Sequence, residues 1–507
     1  MSERVTAPSG SALLNADLAP TTKENATWKS WDLFCLWMTS AHSLGSYGFA
    51  VGMLALGLTG WQTVVALFVG VLMLWAGSNL IGVAGQKVGV PFPVFARATF
   101  GIFGANIPAL LRGLVAVFWY GIQTYLAALA VIALIVRIWP STEAWTHGGF
   151  LGQSPLGWAV FMSLWVVQLL ILSYGMDIVR RVSDFAGPVV WIGMFALALW
   201  MLNKADWSID WNARAGSPLS GPSTVAAFVA VAFLMVAFMA GPLVNYADFA
   251  RLSPSTRAIR RGNALGIPLN ETAFVLISLV ISLCSLKVFG DSSKDPVALV
   301  SEIDSDVVVV IAALLFAVAT VGINVVLNFV SPSYDISNVA PKYISFRTGG
   351  IITAVLSIVV LPWKVWGSEA AVVYFLGGVG ALMGPVFGIL VVDYYLIRKQ
   401  GTRIADLYST RPDGSYYFVR GVNPAAVVAL VISGAVAVVI ALVPSSQYVT
   451  ALSWPIGAAL GAVLVLVLTP ILGGGGRTPD PEAEAAPPQP PRAPEDDAGA
   501  PVQGTPA

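Results

Sequence analysis

The stretch Phe238-Met239-Ala240-Gly241-Pro242-Leu243-Val244-Asn245 sets a Gly-Pro pair inside an apolar run that covers residues 222–250. A proline there removes a backbone donor and crowds the carbonyl four residues earlier, and the adjacent glycine weakens the helix further. If the run crosses a bilayer, the backbone groups released at this point have no water to bond. They are tolerated only where they line a cavity or meet a ligand. A second interruption lies in the run at residues 31–58, where Ser40-Ala41-His42-Ser43-Leu44-Gly45-Ser46-Tyr47-Gly48 places polar and small residues at mid-run. Taken singly, each segment is also explained by a kink or by small residues that let helices pack closely. Their spacing along the chain says more.

Apolar stretches of roughly 20 residues or longer, enough to cross a bilayer, fall at 31–58, 61–84, 108–138, 157–178, 183–203, 222–250, 268–290, 305–330, 345–363, 369–397, 423–443 and 449–472. Hydrophobic residues make up 57% of the chain, charged residues 11%, and mean hydropathy is +0.78, against about 25% charged residues in soluble domains. Such a chain has too little polar surface to stay dissolved. We number the stretches as spans 1 to 12. The two interruptions then fall in spans 1 and 6, the spacing of inverted repeats that each open with a broken helix, as in LeuT-type transporters. The expected fold is an all-α membrane protein of about twelve transmembrane helices: a LeuT-like 5+5 inverted repeat with broken helices 1 and 6, plus two C-terminal helices. The repeats are expected at 31–203 and 222–397, and the two extra helices at 423–472.

Residues 1–30 are polar and mixed in charge, without the apolar core of a signal peptide, and are expected to form a cytoplasmic tail. The segment 473–507 is rich in Pro, Ala and acidic residues and is expected to be disordered. Twelve spans put both termini on one side, and the basic residues choose which. The tails and the even-to-odd loops carry twenty Lys and Arg, among them Lys87, Arg97, Arg180, Arg251, Lys342 and Arg398. The opposite loops carry five, Lys204, Arg214, Lys287, Lys294 and Lys364. Both termini are therefore expected in the cytoplasm, with the chain a multi-pass protein of the cytoplasmic (inner) membrane.

Span 3 contains Phe118-Trp119-Tyr120-Gly121-Ile122-Gln123-Thr124-Tyr125. Trp119 and Gln123, four residues apart, share one helix face. An indole offers a flat stacking surface, and an amide beside it offers one acceptor and two donors, a pairing that suits a planar ring edged with N–H and C=O groups. Helix packing with Gln123 as interhelical glue is the plainer reading of the same pair. In span 8, Asn324 and Asn328 again share a face, and an amide in hydrocarbon needs a partner, either a substrate or another helix.

With these residues in view, Gly89-Val90-Pro91-Phe92 with Arg97, Gly101-Ile102-Phe103-Gly104-Ala105, Leu111-Arg112, Trp119-Tyr120-Gly121-Ile122-Gln123-Thr124, Ser331-Pro332, Gly384-Pro385 and Asp393-Tyr394-Tyr395-Leu396-Ile397 resemble the nucleobase:cation symporter-1 family. That family includes bacterial hydantoin, allantoin and cytosine permeases and plant and fungal uracil and allantoin carriers. The resemblance covers about residues 22–472. It implies a substrate site at mid-membrane between a bundle of spans 1, 2, 6 and 7 and a scaffold of spans 3, 4, 8 and 9. It also implies that Trp119 stacks on the substrate ring while Gln123 and Asn328 bond its edge. Ser43 falls where the family places a longer amide, and Met239 where many members have a second stacking aromatic; Phe238, one residue earlier, serves if the break shifts. Gly241 lies at that break.

Sodium-coupled members place carbonyls at positions matching Thr39, His42 and Ala319, and hydroxyls at two consecutive positions that here read Gly322 and Ile323. Neither offers a side-chain oxygen to a hard cation that wants several. The expectation is a permease that imports a nucleobase, allantoin or a hydantoin with a proton, rather than Na+, as coupling ion. His42 and Glu271 are the intramembrane candidates for carrying that proton. For His42 the plainer reading is a neutral imidazole bonded to exposed backbone, and for Glu271 an interfacial carboxylate. No cofactor or metal is expected, no nucleic acid partner follows from a net charge of zero, and the chain is expected to act as a monomer. An enzyme would need a nucleophile with a base or a metal cluster, and the spans contain neither pattern. A substrate-sensing receptor using the same pocket is the competing function.

Overall fold

The computed structural model describes residues 11–41, 44–173, 176–214, 217–290, 299–300, 302–303, 305–366, 378, 380–443 and 447–472. Among them the chain is helical throughout, with two isolated bridges, Phe150 with Gln153 and Val419 with Val422, as the β-type pairing. The first half comprises α1 (Ser30–Ala41), α2 (Leu44–Leu54), α3 (Gly60–Val88), α4 (Phe92–Phe100), α5 (Asn106–Ile138), α6 (Pro155–Ser173) and α7 (Met176–Lys204). The second half begins with α8 (Pro222–Phe238), α9 (Ala240–Val244), α10 (Ala247–Ala250), α11 (Thr256–Ala264) and α12 (Asn270–Phe289). It continues with α13 (Asp306–Ile323), α14 (Val330–Val339), α15 (Phe346–Val359), α16 (Pro362–Trp366) and α17 (Gly380–Val392). The C-terminal region adds α18 (Pro424–Leu442), α19 (Gln447–Thr450) and α20 (Ser453–Leu472).

Among the described residues, each expected span overlaps a helix or a group of helices. Among the described residues eight continuous helical stretches are long and apolar enough to cross a membrane, and Pro155–Ile171, Pro222–Phe238 and Phe346–Val359 are shorter apolar helices. The boundaries follow local chemistry. Thr59 caps α3 by accepting from Gln62 N while the Gln62 side chain accepts from Thr59 N, a reciprocal capping box, and Gly89 ends the helix in the left-handed region at φ 73°. Asn423 caps α18, with Pro424 in the first turn where its missing N–H costs nothing.

The interruption in span 6 is present as a one-residue break. Helix α8 ends at Phe238, Met239 adopts φ −94° and ψ 12°, and α9 restarts at Ala240. At span 1, α1 ends at Ala41 and α2 begins at Leu44; the intervening His42 and Ser43 lie outside the described residues, as does the tail from 473. Span 8 departs from a plain helix in a way the periodicity does not announce: between α13 and α14, residues Asn324–Phe329 form a π-helical segment, a widened turn of the kind that concentrates at functional sites.

Packing groups the elements as a site between two bodies requires: α5 lies against α13, α14 and the π segment, α1 against α7 and α11, and α3 against α8 and α12. The first described residues are not a free tail. Leu13 and Leu18 are buried, Arg97 on α4 donates to Leu13 O at 3.1 Å, Thr21 N donates to Gly89 O at 2.8 Å, and Asn15 Nδ2 donates to Pro341 O and Ile344 O. Phe346 N donates to Asp17 Oδ2 at 2.8 Å, and Arg251 Nη1 to Ala19 O at 3.3 Å. The segment thus straps together the α3–α4 turn, the α10–α11 turn and the start of α15. Burial pulls the Arg97 guanidinium down to about 10, so it stays charged at neutral pH while bonding Leu13, Asn338 and Leu407.

Candidate substrate site

Helix α5 projects Arg112, Val115 and Trp119 at spacings of three and four, hence from one face, into a cavity of 340 Å³. Phe238 from the end of α8, Ala240, Gly241 and Pro242 from α9, and Asn328 from the π segment line it as well, together with Phe49 and Met53 from α2, Gly380, Ala381 and Met383 from α17, and Ala451 and Ser453 near the start of α20. The lining is mostly apolar with a few convergent polar groups, the usual character of a small-molecule site.

The two readings left open for span 8 fall to different residues. Asn324 points between helices: its Nδ2 donates to Tyr120 O at 3.0 Å, Thr124 Oγ1 at 3.0 Å and Gln168 Oε1 at 2.6 Å, so it joins α5 to α6. Asn328 lines the cavity, and its Nδ2 donates to Asn324 Oδ1 at 3.1 Å. The buried Asn324 network holds the amide that faces the ligand space.

The question of the second aromatic is also decided by geometry. Phe238 lines the cavity, edge-on to Trp119 with centroids 6.2 Å apart and planes at 86°, while Met239 is 2% exposed and lies outside the lining. The break falls at Met239 itself, and Phe238, the last residue of α8, is the one of the two that reaches the cavity. Phe49, which the sequence reading passed over, stacks on Phe238 at 4.3 Å and 14°. Gln123 is buried on the turn of α5 beyond Trp119 and does not line the cavity. Ser43 lies outside the described residues.

Arg112 is the polar group that sequence reasoning noticed only as part of a motif. It is 1% exposed; its Nε donates to Gly241 O at 3.2 Å and to Asn245 Oδ1 at 3.3 Å, and its Nη2 to Leu327 O at 2.9 Å. Those carbonyls belong to the two places where the helical pattern fails, α9 beyond the break and the π segment. A guanidinium with a fork of donors satisfies them together. The signal in the sequence was an arginine inside an apolar span, which has no reason to be there without acceptors.

Of the positions matched to a sodium site, Gly322 is closely packed. An added Cβ at Gly322 would stand 3.0 Å from Ala186 Cβ and 3.1 Å from Thr39 Cγ2, and one at Gly187 would stand 2.9 Å from Met38 Cβ. The Thr39 hydroxyl lies 2.9 Å from Cys35 O and 3.0 Å from Ser183 O, to which it donates. Ala319 and Ile323 are buried beside this contact, and His42 lies outside the described residues. Among the described residues no group of three or more His, Cys, Asp or Glu is placed to hold a metal ion. Glu271, in the first turn of α12, is fully buried and neither carboxylate oxygen has a donor, which sets aside a carboxylate facing lipid or water. Asp393 accepts from Arg398 Nε and Thr99 Oγ1, each at 2.7 Å.

Residues 20–464 match the family model described as permease for cytosine/purines, uracil, thiamine, allantoin. The chain belongs to this permease family. It is 33% identical to an allantoin permease of Bacillus subtilis over 90% of this chain and 93% of that one. It is 34% identical to the purine-uracil permease NCS1 of Arabidopsis thaliana over 83% of this chain and 70% of that one. Its fold matches that of Mhp1, a nucleobase-cation-symport-1 family transporter solved in a closed conformation with bromovinylhydantoin bound, with a TM-score of 0.77 at 24% identity over 91% of this chain and 96% of that one. This permease is therefore a multi-pass secondary transporter with a LeuT-like fold, and not an enzyme.

Proposed function

We propose that this permease imports a small planar ring edged with amide groups, of the nucleobase, allantoin or hydantoin class, across the cytoplasmic membrane by alternating access. The observation that carries the proposal is the convergence of Trp119, Phe238 and Asn328 on one cavity between the broken helix and the π segment. The ring stacks on Trp119 with Phe238 against its edge. Because Asn328 Nδ2 is held by Asn324, its carbonyl oxygen accepts from a ring N–H. The termini lie in the cytoplasm, as the basic residues favour, and a single chain suffices. Competition of labelled allantoin and uracil uptake by a panel of nucleobases, hydantoins and ureides tests the class: inhibition by none of them overturns it. Binding without saturable uptake would assign the chain as a receptor instead.

The coupling ion in this proposal is a proton. Gly322 and Ile323 supply no side-chain oxygen, and Thr39 and Ala186 stand against Gly322 where a hydroxyl would need room. Glu271, buried without a donor, is a candidate carrier.

A further inference from the structure

At the cavity wall, α5, α10 and α14 bring together three charged residues, of which Arg112 also lines the cavity. Arg112 gives its hydrogen bonds to Gly241 O, Asn245 Oδ1 and Leu327 O. Asp248 on α10 accepts from Phe92 N at 2.7 Å and from Asn245 Nδ2 at 3.3 Å, so Asn245 links it to the guanidinium. Asp335 on α14 is the group left over. It is fully buried, it packs against α5 at Gly113, the residue next to Arg112, and neither of its oxygens has a donor. Asp335 and Asp248 are the carboxylates whose charge acts on Arg112.

A buried carboxylate with no donor is tolerated as the neutral acid, since an ionised one unpaired in a low dielectric is among the costliest groups in a protein. The partner that would stabilise the ionised form is at hand but engaged elsewhere. It is engaged, moreover, with α9, whose Ala240, Gly241 and Pro242 form the cavity wall. Asp248 adds a like charge to its surroundings, and the neighbouring cations other than Arg112 are engaged or exposed. From α4, Arg97 is bonded to Asn338, Leu407 and Leu13; on α14 itself, Tyr334 accepts from Arg251; and Arg347, at the start of α15, is exposed.

We propose that Asp335 is a proton-binding site whose occupancy is tied to the cavity wall through Arg112. In the conformation described, Asp335 holds a proton and Arg112 holds α9. When α9 moves and the bonds to Gly241 and Asn245 break, Arg112 turns to Asp335; the carboxyl O–H bond breaks, the proton passes to water, and an Arg112–Asp335 ion pair remains. Movement of the wall and release of one proton are then a single event. This rests on the proton-coupled reading given above and assigns it a site.

The test uses the full chain in proteoliposomes with labelled substrate, comparing accumulation driven by an acid-outside pH gradient with substrate exchange at equal pH. Asp335→Asn should lose about tenfold or more of the gradient-driven accumulation while exchange continues, because a neutral amide cannot release a proton but leaves the cavity intact. Asp335→Glu, which keeps a titrating group on a longer arm, should retain accumulation with a shifted pH midpoint. If Asp335→Asn accumulates substrate with the wild-type pH dependence, or Asp335→Glu leaves the midpoint unmoved, the site is wrong. If the wild-type chain itself gives no accumulation from the pH gradient, the proton-coupled reading falls first, and this site with it.

Discussion

Two junctions of the same helices are built in opposite ways. At the cavity, α5, α8, α9 and the π segment of span 8 meet through Trp119, Phe238 and Asn328 and leave 340 Å³ between them. Where α1, α7 and α13 meet, Thr39, Ala186, Gly187 and Gly322 close so tightly that an added methyl at either glycine would stand inside van der Waals contact with a neighbour. A ligand space persists where large rigid side chains hold helices apart and irregular backbone keeps polar groups turned inward. It disappears where small residues let helix backbones approach. One junction is made to be filled by something else; the other is filled by the protein.

The strongest way to break this contrast is Trp119→Ala. Losing the stacking face should weaken binding by about 1–3 kcal/mol, roughly ten- to a hundredfold, on the scale of base–aromatic stacking; saturable uptake should be lost while the protein still reaches the membrane. Normal uptake by that variant would mean that the cavity is not the substrate site. Asn328→Ala should cost about 1–2 kcal/mol, near tenfold in apparent affinity, as the ring edge loses its acceptor. Asn324→Ala is the sharper companion, because it should impair the assembled protein rather than affinity alone. Gly322→Ser probes the closed junction. Forcing a side chain against Thr39 and Ala186 should destabilise the protein by about 1–3 kcal/mol, read as a lower thermal midpoint in detergent. A gain of sodium-stimulated uptake without that loss would show that the junction has room for an ion. The smallest expected effect is that of replacing sodium by choline in the uptake buffer: less than about twofold, since a hard cation finds too few oxygens here. A steep fall would overturn the contrast altogether.

Much of the fold was legible because hydropathy is a one-dimensional signal. A bilayer demands long apolar helices whatever their neighbours do, so among the described residues the expected spans overlap helices. The Gly241-Pro242 interruption was legible for the same local reason. The N-terminal segment was not: Leu13, Asn15, Asp17 and Leu18 look like an ordinary polar tail until Arg97, Phe346 and Tyr408 are brought beneath them. Counting positions also left Phe238 and Met239 undecided, and only the packing shows that Phe238 lines the cavity while Met239 does not.

What the sequence alone determined is therefore the class of molecule: helices across a membrane, two interruptions five spans apart, Trp119 and Gln123 on one face of span 3, and no hydroxyls at 322 and 323. Those are properties of residues and their spacing. Tertiary structure decided which of two adjacent residues meets the cavity, which of two asparagines is glue, that Arg112 satisfies the carbonyls of both irregular segments, and that Asp335 stands beside it without a donor. Such roles depend on what lies opposite a side chain across a helix–helix contact, and partners such as Arg112 and Gly241, 129 residues apart, share no local pattern from which one could be read off the other.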